Sequence, residues 1–158
     1  MTGQPFDQPY RGGFVGTEHR FAIIVYFEDT DAFGVVYYPN YLRFMERARS
    51  DMILACGVDH FERFRDDGCT YVVAEVAIKY HRSAKVGDTV TVVSTVEQVR
   101  AASVVIQQRV MRGTELLTDG RVSAAFVSPD GRPIRQPREW VERFRAVMAG
   151  EDGRTLSK

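Results

Sequence analysis

The stretch EDTDAFGVVYYPNYLRFMERARSD, from Glu28 to Asp51, joins an acidic loop to an amphipathic segment. Three acids fall within its first four residues, and Gly34 would permit a sharp turn after them. From Tyr41 onward, apolar residues recur at the spacing of one helical face, and Gly57 is a natural stop. The stretch therefore predicts a long helix, with Asn40 as its N-cap, preceded by a loop rich in carboxylates.

Strand-like sequence flanks the predicted helix on both sides. Residues 19–27 are rich in β-branched and aromatic side chains and predict one strand ahead of the acidic loop. Four further runs of this kind, which suit an antiparallel meander, cover residues 70–82, 89–99, 103–111 and 115–128. Gly120 inside the last run indicates a bulge, and residues 137–150 predict a closing helix. This order predicts an α+β fold in which the long helix packs on one face of an antiparallel sheet.

The chain is expected to form one domain, because 158 residues is a typical domain length. Residues 1–18 are rich in Gly, Pro and Gln and show little periodicity, which predicts a flexible leader. The domain itself is expected over residues 19–150, followed by a short tail at residues 151–158.

Composition limits the possible partners. The 21 basic and 21 acidic residues cancel, which argues against nucleic acid and against an anionic membrane surface. No apolar run approaches the length of a bilayer-spanning helix, and the first residues show no secretion signal, so we expect a cytoplasmic protein. Cys56 and Cys69 form no CxxC pair and predict reduced thiols. The three histidines show no metal-ligand spacing, so no metal site is predicted.

The order of elements and several motif residues resemble those of the hot-dog acyl-CoA thioesterases. The motif residues are Asp31 in DTDAFG, Gly34, the run VVYYPNY and the helix after it, with an echo in IKYHRSAKVGD. The branch that the chain resembles includes the Tol-Pal-associated acyl-CoA thioesterases and 4-hydroxybenzoyl-CoA thioesterase. The resemblance implies a sheet wrapped around the long helix, an acyl-CoA substrate and no separate cofactor. It also implies homodimers or homotetramers with active sites between subunits.

Thioester hydrolysis needs an attacking group and a stabiliser for negative charge on the carbonyl oxygen. A thiol leaves readily as thiolate, so one carboxylate can suffice without a general acid. Free N–H groups at a helix start favour an oxyanion. The resemblance places the carboxylate at Asp31 and the oxyanion donor at the backbone N–H of Tyr38. The residues alone also allow Tyr37 as the donor, since Pro39 has no N–H, and allow Asp31 a purely structural role in a turn.

Two departures from the family pattern bear on the substrate. Tyr38 stands where much of the Tol-Pal branch has histidine, so the site leans towards the hydroxybenzoyl branch. Phe33 is bulky where these families usually carry a small residue, so the loop beside the acyl group is expected to be narrower. We therefore expect an aromatic or short acyl group. The candidate substrate contacts in this stretch are Phe33, Gly34, Val36, Tyr37 and Asn40.

Other candidates for the chemistry lie on the helix or just after it. Glu46 is one position from the apolar stripe, and the resemblance allows it a catalytic or substrate-contacting role. The alternative for Glu46 is an exposed partner of a neighbouring arginine. Cys56 with His60 as its base is another candidate, although a free cysteine on an apolar helix face is usually buried.

The phosphates of coenzyme A require cationic partners, and the segment KYHRSAK is the best basic cluster for them. Lys79, Arg82 and Ser83 are the candidate contacts, with ordinary surface charge as the alternative. Two rival functions stay open. One is a non-catalytic acyl-CoA binding or scaffold protein. The other is a hot-dog dehydratase, which pairs a histidine with a carboxylate, although no histidine lies between Asp31 and Asp59.

Overall fold

The protein is described over residues 3–151 by a computed structural model. Its strands are β1 (Gly13–Val15), β2 (Glu18–Ile24), β3 (Thr70–Tyr80), β4 (Thr89–Val99), β5 (Ser103–Arg112) and β6 (Glu115–Val127). Its helices are α1 (Asn40–Ala55), α2 (His60–Asp67) and α3 (Arg138–Met148), with a short 3-10 helix at Phe27–Asp29. All but the first residue of the predicted tail lies outside the described residues. Within residues 3–151, no helix has both the length and the apolar character needed to cross a membrane.

The six strands form one antiparallel sheet in the order β1-β2-β4-β5-β6-β3. Only β4, β5 and β6 follow the predicted meander. β3 instead pairs with β6 at the far edge of the sheet, and residues 81–88 carry the chain back to β4. The prediction of a simple four-strand meander is therefore wrong. The connection between β3 and β4 is short and polar, as a hairpin would be, so local sequence could not reveal the crossover.

Helix α1 packs its apolar stripe against the sheet, as predicted. Met45, Ala48 and Met52 are fully buried. A Cβ atom added at Gly120 would lie 2.5 Å from Met45 Cε, so this glycine leaves room for the helix to approach β6 closely. The bulge predicted at Gly120 is wrong, because the register of β6 with both neighbours is continuous there. Close approach of a side chain explains the glycine instead.

A buried polar network fixes α1 along its own axis. The Gln108 side chain donates to the Met45 carbonyl at 2.8 Å and to Ser94 Oγ at 3.0 Å. Its Oε1 accepts from the guanidinium of the buried Arg49 at 2.8 Å. Because each partner has a defined direction, these bonds specify one helix position more sharply than apolar packing alone.

The N-terminal segment is more structured than its composition predicted. β1 lies within residues 1–18 and pairs with β2. Arg11 Nε lies 2.5 Å from one oxygen of Asp51, and the other oxygen accepts from the Gly12 N–H and lies 2.8 Å from His19 Nε2. Residues 11–18, which the sequence assigned to the flexible leader, are therefore ordered by β1 and by these contacts. A carboxylate on α1 orders the segment, and composition alone does not show such a partner.

Candidate active site

The acidic loop is a compact turn centred on Asp31. The Asp31 N–H donates to the Val35 carbonyl at 2.9 Å, and the Gly34 N–H donates to the Asp31 carbonyl at 3.1 Å. Asp31 Oδ1 accepts from the N–H of Phe33 at 2.8 Å and from that of Val35 at 3.4 Å. Gly34 has a φ of 77°, which favours glycine. The turn network considered from the sequence is therefore present, yet it uses only Oδ1 of an exposed carboxylate.

The same loop is tied to the start of α1. The carbonyl of Asp29 accepts from the Tyr37 N–H at 3.0 Å and from the Asn40 side-chain amide at 2.8 Å. Asn40 was predicted as the N-cap, and this prediction is wrong. Pro39 occupies the cap position and Asn40 is the first helical residue. The Asn40 side-chain amide donates back to the loop.

Only one of the two oxyanion donors left open by the sequence is available. The Tyr37 N–H is used by Asp29, and the first three N–H groups of α1 donate to carbonyls three residues back. Within the described part of the chain, the Tyr38 N–H has no hydrogen-bond partner. It precedes a helix start, where the peptide dipoles favour negative charge. Of the two candidates, the Tyr38 N–H is thus the unpaired one within residues 3–151, and its role as the oxyanion donor stays a prediction.

The second motif lies directly beside the acidic loop. The Val36 N–H donates to the Ala84 carbonyl at 2.9 Å, and the Val86 N–H donates to the Gly34 carbonyl at 3.0 Å. The crossover from β3 to β4 therefore supports the loop that carries Asp31. This explains structurally why the two motif segments occur together, and it could not be read from either segment alone.

The candidate coenzyme contacts occupy this crossover and the end of β3. Arg82 is 68% exposed, and its Nε lies 3.3 Å from a carboxylate oxygen of Glu115. The Ser83 carbonyl accepts from the Arg112 guanidinium at 3.2 Å. Lys79 lies on β3 opposite Asp119 of β6. Arg82 and Ser83 adjoin the backbone that supports the acidic loop.

The candidate acyl contacts divide into accessible and buried residues. The Phe33 side chain is 91% exposed, and those of Tyr37 and Tyr38 are more than half exposed. Val36 is 4% exposed and belongs to the buried core that also contains Ala84. In the single chain its side chain packs inward and anchors the loop, and its role as a substrate contact stays a prediction.

Glu46 lines a cavity whose lining does not include the acidic loop. It is exposed on α1 and lines a cavity of about 570 Å³ between α1, α2 and β3. The cavity lining includes Arg49 but neither Asp31 nor Tyr38. Burial lowers the pKa of Arg49, and the negative charge of Glu46 opposes that shift. Glu46 and Arg49 thus line the same cavity and interact electrostatically, and a catalytic or substrate-contacting role of Glu46 stays a prediction.

The thiol candidate does not have the properties of a nucleophile. Cys56 is fully buried, and desolvation raises the pKa of its thiol to about 12. A thiol of this kind stays protonated at neutral pH and attacks poorly. His60 is buried between Phe61 and Tyr71, and burial lowers its pKa. Residues 3–151 hold no cluster of three or more metal-binding side chains, and the expectation of no metal stays a prediction.

Tyr80 is a residue that sequence reasoning missed. It is the last residue of β3, and its hydroxyl donates to the Tyr38 carbonyl at 3.2 Å. Its position inside the KYHRSAK segment is only a weak signal, because the sequence does not show which partner the ring has. The contact joins two segments more than forty residues apart, which the sequence does not place together.

Comparison with known proteins identifies the family. A family model described as the thioesterase superfamily matches residues 33–118, a span that begins two residues after Asp31. An acyl-CoA thioesterase YbgC from Haemophilus influenzae is 36% identical over 120 residues, which cover 75% of this chain and 88% of the relative. The chain belongs to the thioesterase superfamily. A YbgC acyl-CoA thioester hydrolase of Escherichia coli is 31% identical over 82% of this chain and 97% of its own length.

Solved structures of the superfamily share the fold. A DHNA-CoA thioesterase from Staphylococcus aureus is 26% identical, with a TM-score of 0.77 over 84% of this chain and 91% of its own. The 4-hydroxybenzoyl CoA thioesterase of Pseudomonas sp. is 22% identical, with a TM-score of 0.73 over 80% of this chain and 99% of its own. At that identity the likeness shows the fold alone. Together these structures confirm the α+β hot-dog fold predicted from the sequence.

Proposed function

We propose that this member of the thioesterase superfamily hydrolyses acyl-CoA thioesters to a free carboxylic acid and coenzyme A. One observation carries the proposal. The loop that presents a free carboxylate oxygen of Asp31 is hydrogen-bonded to the helix start that leaves the Tyr38 N–H unpaired within the described residues. The names of the YbgC relatives support the substrate class. Coenzyme A enters as part of the substrate, and the scheme needs no separate cofactor.

The chemistry follows from these two groups. Asp31 Oδ2 forms a bond to the acyl carbon while the carbonyl oxygen becomes an oxyanion, which the Tyr38 N–H stabilises. The carbon–sulfur bond then breaks and coenzyme A leaves as thiolate, so no general acid is required. Water opens the resulting anhydride at the Asp31 carbonyl carbon. This step releases the acyl group as a free carboxylate, restores the Asp31 carboxylate and gives both protons of the water to solvent, from which the departed thiolate can take up one.

An aromatic or short acyl group suits the surroundings of Asp31. Exposed rings of Phe33, Tyr37 and Tyr38 lie on the same loop and helix start and could cover an apolar acyl group. A solved relative that is 26% identical carries the name of a thioesterase for DHNA-CoA. This name supports an aromatic acyl group here.

Thiol release from a panel of acyl-CoA esters tests the proposal. The panel contains benzoyl, 4-hydroxybenzoyl, acetyl, butyryl and palmitoyl esters, and a disulfide reporter follows the free thiol. We expect turnover of the aromatic or short esters and much slower turnover of palmitoyl-CoA. Tight binding of the esters without thiol release would instead favour the rival acyl-CoA binding or scaffold protein.

We further propose that the working form is a homodimer at least, built through β3. β3 lies at one edge of the sheet, so one side of its backbone lacks a neighbouring strand among the described residues. Val72, Val73 and Val76 on this strand are each more than 40% exposed. Unpaired edges with exposed apolar side chains favour pairing with another strand. The choice between dimer and tetramer, and the cytoplasmic location, stay predictions.

Replacing Arg82 by alanine is expected to raise KM for acyl-CoA roughly threefold to tenfold while kcat changes little. The ion pair of Arg82 with Glu115 is exposed and weak, so a coenzyme phosphate could replace the carboxylate. The phosphates are remote from the scissile bond and are held about equally in the ground and transition states. Steady-state kinetics at low and high salt measure the effect, which should shrink at high salt.

Two controls accompany the Arg82→Ala variant. Arg138→Ala removes another exposed arginine that pairs with a carboxylate, on α3, and should leave KM unchanged. A pantetheine ester lacks the nucleotide phosphates and should react equally well with both variants. An unchanged KM for the full coenzyme A ester in Arg82→Ala would show that Arg82 is an ordinary surface charge and does not bind the coenzyme phosphates.

A further inference from the structure

We infer that Tyr80 is a positioning residue for the oxyanion donor, acting through the backbone of Tyr38. The inference rests on the proposed function, because it assigns a role in the same reaction. Its observation is independent of that function: the Tyr80 hydroxyl donates to the Tyr38 carbonyl at 3.2 Å. Tyr80 does not contact the reacting atoms in this scheme, so its effect is on geometry.

The carbonyl of Tyr38 is held from two directions. It accepts from the Tyr80 hydroxyl and, at 3.3 Å, from the N–H of Tyr41 in the first turn of α1. Two donors on one carbonyl restrict rotation of the backbone around Tyr38. The N–H of the same residue is the donor that stays unpaired within residues 3–151. Fixing the carbonyl therefore limits the directions in which this N–H can point.

The ring of Tyr80 reinforces the contact. It lies edge-on to the ring of Tyr38 at 5.9 Å between centroids and to the ring of Tyr41 at 5.8 Å. Such arrangements are favourable for aromatic pairs. Burial, together with the neighbouring tyrosines, raises the pKa of Tyr80, so its hydroxyl stays protonated and remains a donor through the neutral range. Hydroxyl and ring thus make separable contributions.

Tyr80 is also the last residue of β3. β3 is the edge strand through which we propose that two subunits pair. Tyr80 is 44% exposed, and its backbone pairs with Thr118 of β6. Tyr80 therefore lies on the strand of the proposed interface and also contacts Tyr38.

The variant Tyr80→Phe removes the hydroxyl and keeps the ring. We expect kcat to fall about threefold to tenfold, while KM stays within about twofold. This range corresponds to the typical net contribution of one hydrogen bond. Retention of the ring packing should keep the melting temperature close to that of the parent. Tyr10→Phe is the matched control, because the Tyr10 hydroxyl accepts from a backbone N–H on β2 and has no part in the site. Its kcat should not change.

A second measurement separates this inference from the proposed function. The amide resonance of Tyr38, recorded by NMR without substrate, should shift and broaden in Tyr80→Phe and stay in place in Tyr10→Phe. If the parent hydrolysed none of the acyl-CoA esters, the proposed function would fail, yet the resonance would still report on positioning. An unchanged Tyr38 resonance together with an unchanged kcat would overturn the inference. So would an equal loss of kcat in both variants.

Discussion

Replacing Asp31 by asparagine is expected to lower kcat at least a hundredfold while KM for acyl-CoA stays nearly normal. This loss corresponds to about 2.7 kcal/mol of transition-state stabilisation. Asparagine keeps an Oδ1 that can accept from the Phe33 N–H, so the turn should persist. What the variant loses is the negative charge and the free oxygen that would attack the acyl carbon. Steady-state thiol release, with circular dichroism as a check on folding, measures the effect.

The control for Asp31→Asn is Glu28→Gln, which removes a carboxylate from the same acidic segment. Glu28 is exposed and has no role in the proposed scheme, so activity should stay within about twofold of the parent. Full activity of Asp31→Asn would contradict the assignment of Asp31 as the attacking carboxylate, and its role would then be limited to the turn. Attention would then move to Glu46, the other carboxylate that the sequence singled out.

Introducing lysine at Val76 is expected to yield a folded monomer that has lost at least nine-tenths of its activity. Val76 is 41% exposed on the edge strand β3, so the single chain should tolerate the change. A lysine on an edge strand opposes pairing with a second copy, because its charge would have to be desolvated at the interface. Light scattering at micromolar concentration measures the mass, and thiol release measures the activity.

The opposite edge of the sheet provides the control for this variant. Val15 lies on β1 and is 68% exposed, so Val15→Lys adds the same charge to an exposed apolar position of the other edge strand. It should remain dimeric and active. A parent protein that is monomeric at micromolar concentration and fully active would contradict both the β3 interface and a site shared between subunits.

The main elements of the fold were predictable because they depend on local patterns. The apolar face of α1 and the β-branched strand runs match the observed elements closely, since periodicity reflects which side of an element is buried. The position of β3 beside β6 was not predictable, because strand order depends on contacts distant in sequence. The reason for Gly120 also depends on a contact distant in sequence. Its lack of a side chain is explained by Met45 on α1, a partner more than seventy residues away.

The candidate site also has features that depend on local sequence and features that depend on three-dimensional contacts. Asp31 and Tyr38 lie within one short stretch, so the motif and the resemblance could name both as candidate site residues. The structure pairs the Tyr37 N–H with the Asp29 carbonyl, which depends on loop conformation, and the donor role of Tyr38 stays a prediction. The contact of Tyr80 with Tyr38 and the burial of Val36 were not predictable. Both depend on the direction of a side chain in three dimensions, which composition and spacing do not give.

The central claim is that the carboxylate of Asp31 bonds to the acyl carbon and that water then opens the anhydride at the Asp31 carbonyl carbon. Repeated turnover of an accepted acyl-CoA in heavy-oxygen water, followed by mass spectrometry of the peptide that contains Asp31, tests it most directly. We predict that heavy oxygen enters the Asp31 side chain in the parent and not in protein incubated without substrate. An unlabelled Asp31 after many turnovers, with the heavy oxygen only in the released acid, would contradict this route.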